Sequence, residues 1–270
     1  MRTVVGITDF GEAELFAREA DELYCGVPAL ANHRDGQRNL KDFRELGRIA
    51  ALAARHGKPL LVAANEVYEP RAYRAAIAGL RKCLAAGAAG FIVRDAGLLR
   101  EMKERGLKTE LVLSSLALCF NVETLKFYKE LGISRVVLPQ HLDVREAAGI
   151  LKNRLGVKTE VFYFPQSFCP NMDGACPYHT LAPRRQQNCR ITLRSGGRDY
   201  SMRKPPEERM LRLLYGYLKA GADYLKISRD DPEKKQRVLS MARRASALAA
   251  GGASFDKFLI SSRRWGWHEV

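Results

Sequence analysis

Short apolar runs rich in Val, Ile and Leu alternate along this chain with amphipathic stretches of helical period. Most of those stretches stop at a glycine just before the next apolar run, and this punctuation predicts βα units in series. Residues 2–8 (RTVVGIT) predict a strand before a helix over 11–20, residues 21–27 (DELYCGV) a strand before a helix over 42–57, and residues 58–67 a strand before a helix over 71–87. The period continues with strands over 88–95, 108–116 and 133–142, followed by helices over 96–106, 122–132 and 143–156. After a seventh strand over 158–166 the pattern lapses, then resumes with a helix over 206–221, an eighth strand over 222–229 and a helix over 232–250.

Eight such units in order predict an α/β fold of the (β/α)8 TIM-barrel type, regular or irregular in outline, rather than a doubly wound sheet. The expected organisation is one barrel domain over residues 1–252 with a cysteine loop inserted at 167–205. A tail over 253–270 is expected to pack under the barrel through Phe255, Trp265 and Trp267 or to contact a partner. The connection after the seventh strand, roughly 40 residues against the usual 2–6, is of a length that is commonly functional.

Barrel chemistry sits where strands end and the following loops begin. The predicted rim includes Cys25, Asn32, Asn65, Glu66, Asp95, Ser114, Ser115, Gln140 and His141, together with four cations, Arg34, Arg94, Lys226 and Arg229. Cations converging from several strands suit a small substrate with carboxylates, which Arg grips in bidentate fashion. The plainer expectation for each is a pairing with a rim acid such as Glu66 or Asp95. Glu160 opens the seventh strand and is expected near the end opposite the mouth, as a structural polar residue. The helix carrying Lys234, Lys235, Arg237, Arg243 and Arg244 reads as a solvated barrel helix, with RNA contact as the second reading.

The net charge of +15 favours polyanionic or carboxylate partners, and one loop gathers Arg184, Arg185, Arg190, Arg194, Arg198, Arg203 and Lys204 against Asp199 alone. No apolar run approaches the roughly 18 residues of a membrane span, and the N-terminus lacks a secretory pattern, so the expected location is cytoplasmic. In a reducing compartment six cysteines point away from a disulfide framework and towards metal, cluster or redox chemistry. Cys169, Cys176 and Cys189 fall in the long connection with spacing C-x6-C-x12-C and His179 between the last two. Such thiols suit a 4Fe-4S cluster, or a Zn site of three cysteines and His179. A fourth cluster ligand is sought in His179, Cys25, Cys119 or an exogenous group, while Cys83 falls in a helical pattern and reads as core. Neither G-x-S-x-G nor H-E-x-x-H is present, so no serine elbow or zincin site assembles locally.

The cysteine segment resembles the signature of the peptidase U32 family, the collagenase-like peptidases, through Glu160, Phe162, Cys169, Gly174 to Cys176, and Cys189-Arg190. Tyr24, Gly26, Asn32, Arg34, Asp95, Asn121, Pro139 and Lys226 stand in the family order. The resemblance implies a barrel-like domain and, in members that keep the cysteines, an oxygen-sensitive 4Fe-4S cluster. It further implies oxygen-independent hydroxylation of an RNA base or a quinone-type ring, with prephenate as hydroxyl source, and in some members a second U32-type subunit as partner. A collagenase-like peptidase and a non-catalytic RNA-binding module are the alternatives. The chain departs from the family pattern in a Phe162–Cys169 spacing one residue longer, in Ser228 and Gln140 at motif positions, and in having no cysteine after Cys189.

Overall fold

The computed structural model of the 270-residue chain describes residues 1–32, 38–140, 142–163, 192–201, 206–228 and 232–266. Eight parallel strands close a barrel: β1 (Arg2–Gly6), β2 (Glu22–Gly26), β3 (Leu60–Ala64), β4 (Gly90–Val93), β5 (Glu110–Leu113), β6 (Arg135–Val137), β7 (Lys158–Phe162) and β10 (Tyr224–Ile227), with β10 sealing the gap between β7 and β1. Around it lie α1 (Phe10–Phe16), α2 (Phe43–Arg55), α3 (Tyr73–Ala85), α4 (Ala96–Glu104), α5 (Val122–Glu130), α6 (Ala148–Leu151), α7 (Glu207–Lys219) and α8 (Pro232–Ala250). The predicted barrel and its strand order are therefore present. Among the described residues no helix is long and apolar enough to cross a membrane.

Local chemistry sets the punctuation. Asp9, Asp42, Asp95 and Asn121 cap the helices that follow them, each accepting a backbone N–H from the first turn. At the other ends, Gly87 (φ 98°) and Gly132 (φ 99°) take the left-handed conformation that turns the chain into the next strand, which a side chain would strain. The helix predicted over 143–156 shrinks to the single turn of α6. Asp143 accepts the N–H groups of Arg145 and Glu146, and Asn153 ties together Ile150, Leu155 and Val157, so side chains satisfy backbone groups that a longer helix would use.

Two further elements were not expected as such. Within the long connection, β8 (Thr192–Ser195) and β9 (Arg198–Ser201) pair as an antiparallel hairpin, its tip formed by Gly196 (φ 56°) and Gly197 (φ 72°). Two consecutive glycines at positive φ make the tight turn that matches strand twist. The tail forms α9 (Phe255–Arg264), which packs against the barrel helices α7 and α8 rather than beneath the barrel. Phe258 is fully buried there and Tyr215 meets the rings of Phe255 and Phe258 at 5.6 and 5.2 Å.

Lys235 corrects the reading of α8 as a wholly solvated helix. Its side chain is fully buried, donating to the Gly6 carbonyl at 3.0 Å and to the Glu12 carboxylate. Glu12 also accepts from the Thr8 backbone N–H at 2.8 Å, so the buried pair fastens the start of α8 to the β1–α1 turn.

Candidate functional site

Strand alternation sends Leu23, Cys25, Val62, Phe91, Val93, Leu113, Val136 and Val161 outward into the core under the helices, and sends the residues between them into the barrel. The inward set, Val4, Tyr24, Leu61, Ile92, Val112, Val137 and Tyr224 with Phe162, forms a separate apolar cluster. With the stagger of this architecture, alternate strands contribute four side chains to each level. The register therefore stacks, from base to mouth, Glu22/Gly90/Arg135/Tyr224, then Val4/Leu61/Val112/Glu160, then Tyr24/Ile92/Val137/Lys226, then Gly6/Ala63/Ser114/Phe162, then Gly26/Arg94/Pro139/Ser228. Gly90 makes room in the lowest of these levels, since a Cβ there would meet the Glu110 carbonyl oxygen at 2.4 Å.

Through these levels runs a column of buried charge. Arg135 donates to Glu22 twice, at 2.7 and 3.0 Å, to Glu160 at 3.0 Å, and to Glu110. Its guanidinium lies 3.6 Å from the centroid of the Tyr224 ring. Glu160 is completely buried and its second oxygen accepts from the Lys226 ammonium at 2.7 Å. Lys226 in turn stands 3.9 Å from the centre of the Tyr24 ring. Burial alone pushes the Glu160 carboxyl up, yet attraction and hydrogen bonds from Lys226 and Arg135 together hold it below the ordinary value. For Glu22, burial outweighs the pull of Arg135 and the carboxyl lies above that value.

Glu160 therefore lies towards the base as expected, in the second level from it, but inside the barrel and one level beneath Lys226. Lys226 is buried rather than rim-exposed, and Arg94 is buried two levels above it, its Nη2 3.7 Å from Glu66. Of the four side chains between those two cations only Phe162 is bulky, the others being Gly6, Ala63 and Ser114. Asn65 donates to the Ser114 hydroxyl at 3.4 Å. Asp95 serves the scaffold: besides capping α4 it accepts from the Tyr68 N–H at 2.7 Å and the Tyr73 hydroxyl at 3.1 Å. Arg34, Arg229, His141, His179, Cys169, Cys176 and Cys189 lie outside the described residues. Sequence reasoning missed Glu22 and Arg135. The signal was available, because charged residues at inward positions of short apolar strands have no solvent to face.

The profile of the family described as peptidase family U32 matches residues 12–253. The chain belongs to this family. Among curated relatives, the tRNA hydroxylation protein P of Escherichia coli is 24% identical over 210 residues, covering 75% of this chain and 44% of that protein. Its Haemophilus influenzae counterpart is 27% identical over 177 residues, covering 64% of this chain and 37% of that protein. This U32 chain thus spans less than half the length of the curated relatives it matches. Among solved structures, the U32 peptidase Mk0906 superposes with a TM-score of 0.58 at 13% identity, covering 86% of this chain and 93% of that one, a likeness of fold.

The described thiols of this U32 barrel do not assemble a metal centre. Cys25 faces the helix layer, its Sγ 3.8 Å from the Leu61 carbonyl, Cys119 approaches the Asn121 carbonyl at 3.7 Å, and Cys83 is buried on α3. Among the described residues no cluster of three or more His, Cys, Asp or Glu is placed to hold a metal ion. Burial pushes the Cys83 thiol up to about 12 and the Cys119 thiol up to about 11. Thiolate is the reactive form, so at pH near 8 neither is expected to be alkylated in the native protein, whereas both are modified after unfolding. Mass-spectrometric mapping of iodoacetamide adducts checks this.

Proposed function

We propose that this U32 protein takes part in hydroxylation of an RNA base, with a small carboxylate of the prephenate type bound in the barrel mouth. The observation that carries the reading is Lys226. It is a buried ammonium on the barrel axis with Glu160 beneath it, while Arg94 stands above at the level of the mouth. Two curated relatives by sequence are named for tRNA hydroxylation.

In this reading Lys226 and Arg94 receive the anion, Arg94 exchanging its long contact to Glu66 for a bidentate one to carboxylate. Tyr24 and Phe162 give the site its apolar wall, and Asn65 and Ser114 supply neutral polar contacts. Cys169, Cys176 and Cys189 would hold a 4Fe-4S cluster. Three thiols on the connection that leaves β7 at the mouth are a donor set suited to iron and sulfide, or to zinc with His179. When bound, the cluster supplies electron transfer and an iron at which an oxygen function can be handled. A second U32-type subunit, implied by the resemblance to the family, is part of the proposal.

The test is anaerobic purification and reconstitution, with iron and sulfide analysis. Transfer RNA from the reaction is then digested to nucleosides and searched by mass spectrometry for the added oxygen, with and without prephenate and with and without a U32 partner. Iron and sulfide that vanish when the three cysteines are replaced, together with prephenate-dependent oxygen addition, support the reading. Zinc in place of iron, or peptide hydrolysis that survives cysteine replacement, overturns it.

A further inference from the structure

We propose that the seam between α8 and α9 is a docking groove for the RNA backbone, on the flank of the barrel and separate from the mouth. This rests on the RNA reading of the mouth and adds to it the surface that would carry the rest of the polynucleotide. The two helices are joined by the short turn at 251–254, so they run back along one another. Between them lies a groove of about 700 Å³ whose lining includes Arg244, Lys257 and Trp265 over a floor of Ala247, Gly251 and Gly252.

Among the described residues, charge in the groove is unbalanced. Of the neighbouring cations, Arg243 reaches Glu19 at 3.8 Å and Arg263 reaches Glu207 at 3.2 Å. Among the described residues no carboxylate lies within ion-pairing distance of Arg244, Lys257 or Arg264, and Asp256, in the first turn of α9, is not part of the lining. The Arg244 guanidinium lies 6.0 Å from the Trp265 ring centre, and Arg237, two turns earlier on α8, donates to the Trp265 carbonyl at 3.4 Å. Seven residues of helix advance about 10 Å. Arg237 and Arg244 therefore form a cationic line on the α8 face beside α9, starting near the mouth end, where α8 begins, and running down the flank.

An RNA backbone fits this surface better than a protein partner does. Arg244 and Lys257, with no described carboxylate in reach, can bind phosphates by releasing counterions, the side-chain-poor floor lets a backbone approach, and a half-buried indole offers a ring face to an unpaired base. A protein interface of this size would instead centre on apolar anchors, and among the described lining residues the large apolar side chains are Trp265 and Leu248. The chain's net charge of +15 adds long-range attraction for the same polyanion.

The experiment titrates the full chain with an unfractionated bacterial tRNA mixture across a series of salt concentrations. Arg244→Gln/Lys257→Gln is compared with a control pair on other exposed surface, Arg55→Gln/Lys108→Gln. The groove variant is expected to bind about tenfold or more weakly and to lose between about one and two units of the salt slope, near the loss for two phosphate contacts, while its melting temperature stays that of the wild type. In a Trp267→Phe background the remaining indole, Trp265, is expected to be quenched as tRNA is added. Equal losses in the groove and control variants, or an unquenched Trp265 with unchanged slope in the groove variant, overturn the groove while leaving RNA as the partner. A wild-type chain that binds no tRNA at low salt overturns the RNA reading of the mouth along with it.

Discussion

Replacing Arg135 with methionine is expected to destabilise the barrel by about 3–5 kcal/mol, the usual consequence of removing one partner from a buried ionic group. Arg135 donates to three carboxylates, and two of them, Glu22 and Glu160, are buried to 2% exposure or less. Methionine fills much of the space over the Tyr224 ring but offers no donor. Glu160 would keep Lys226, whereas Glu22 would keep no cation from this group. Urea unfolding reads the loss as a lower midpoint at unchanged slope.

The pH dependence identifies the carboxylate responsible. In the native protein Glu22 titrates above the ordinary value of 4.5, so its ionisation weakens the fold as pH rises from 4.5 through its folded value. Glu160 titrates below 4.5, so its contribution is complete above that value and is lost as pH falls through its lower folded value. Without Arg135 the Glu22 carboxyl rises further. The Arg135→Met deficit is therefore expected to be larger at neutral pH than near pH 5, and Glu22→Gln in the same chain should recover part of it. A deficit that is flat with pH, or untouched by Glu22→Gln, would mean that lost packing dominates.

The barrel itself was legible because two independent signals agreed. Apolar runs gave the strands, and glycines such as Gly57, Gly87, Gly106 and Gly132 stood where the helices had to stop. Failures came where side chains act at a distance in sequence. Asp143 and Asn153 replaced most of a predicted helix with local turns. Lys235 looked like one cation on a basic helix, and only the approach of Glu12, 223 positions away, explains its burial. Cys25 was placed at the rim by position along its strand, but the parity that puts Tyr24 inside the barrel turns Cys25 out of it. The same parity, applied to every strand, would have collected Glu22, Arg135, Glu160 and Lys226 on one axis. Which of them touch depends on barrel stagger, which no single strand encodes. The predicted ligands Cys169, Cys176 and Cys189 stay a reading of the sequence.

On the proposed reading, Lys226→Met is expected to lower kcat/KM for the proposed carboxylate substrate by at least about 100-fold, close to 2.7 kcal/mol of transition-state binding. Tetrahedral carbon and a thioether fill the space of the stem, but no donor then faces an anion on the barrel axis. The same change leaves Glu160 fully buried with Arg135 as its remaining cation, so a loss of stability accompanies it and could by itself mimic a functional role. The pair Glu160→Gln/Lys226→Met separates the two. It removes both charges together, and deleting both members of a buried ion pair is far less costly than deleting one. The double variant is expected to recover most of the melting temperature lost by Lys226→Met and none of the activity, with tRNA affinity unchanged if the proposed α8–α9 groove sets it. Glu160→Gln alone keeps the ammonium and should retain measurable activity with a raised KM, since Lys226 then loses the carboxylate that fixes its position. If activity returns along with stability in the double variant, Lys226 is a strut of the barrel and the anion is held by other groups at the mouth.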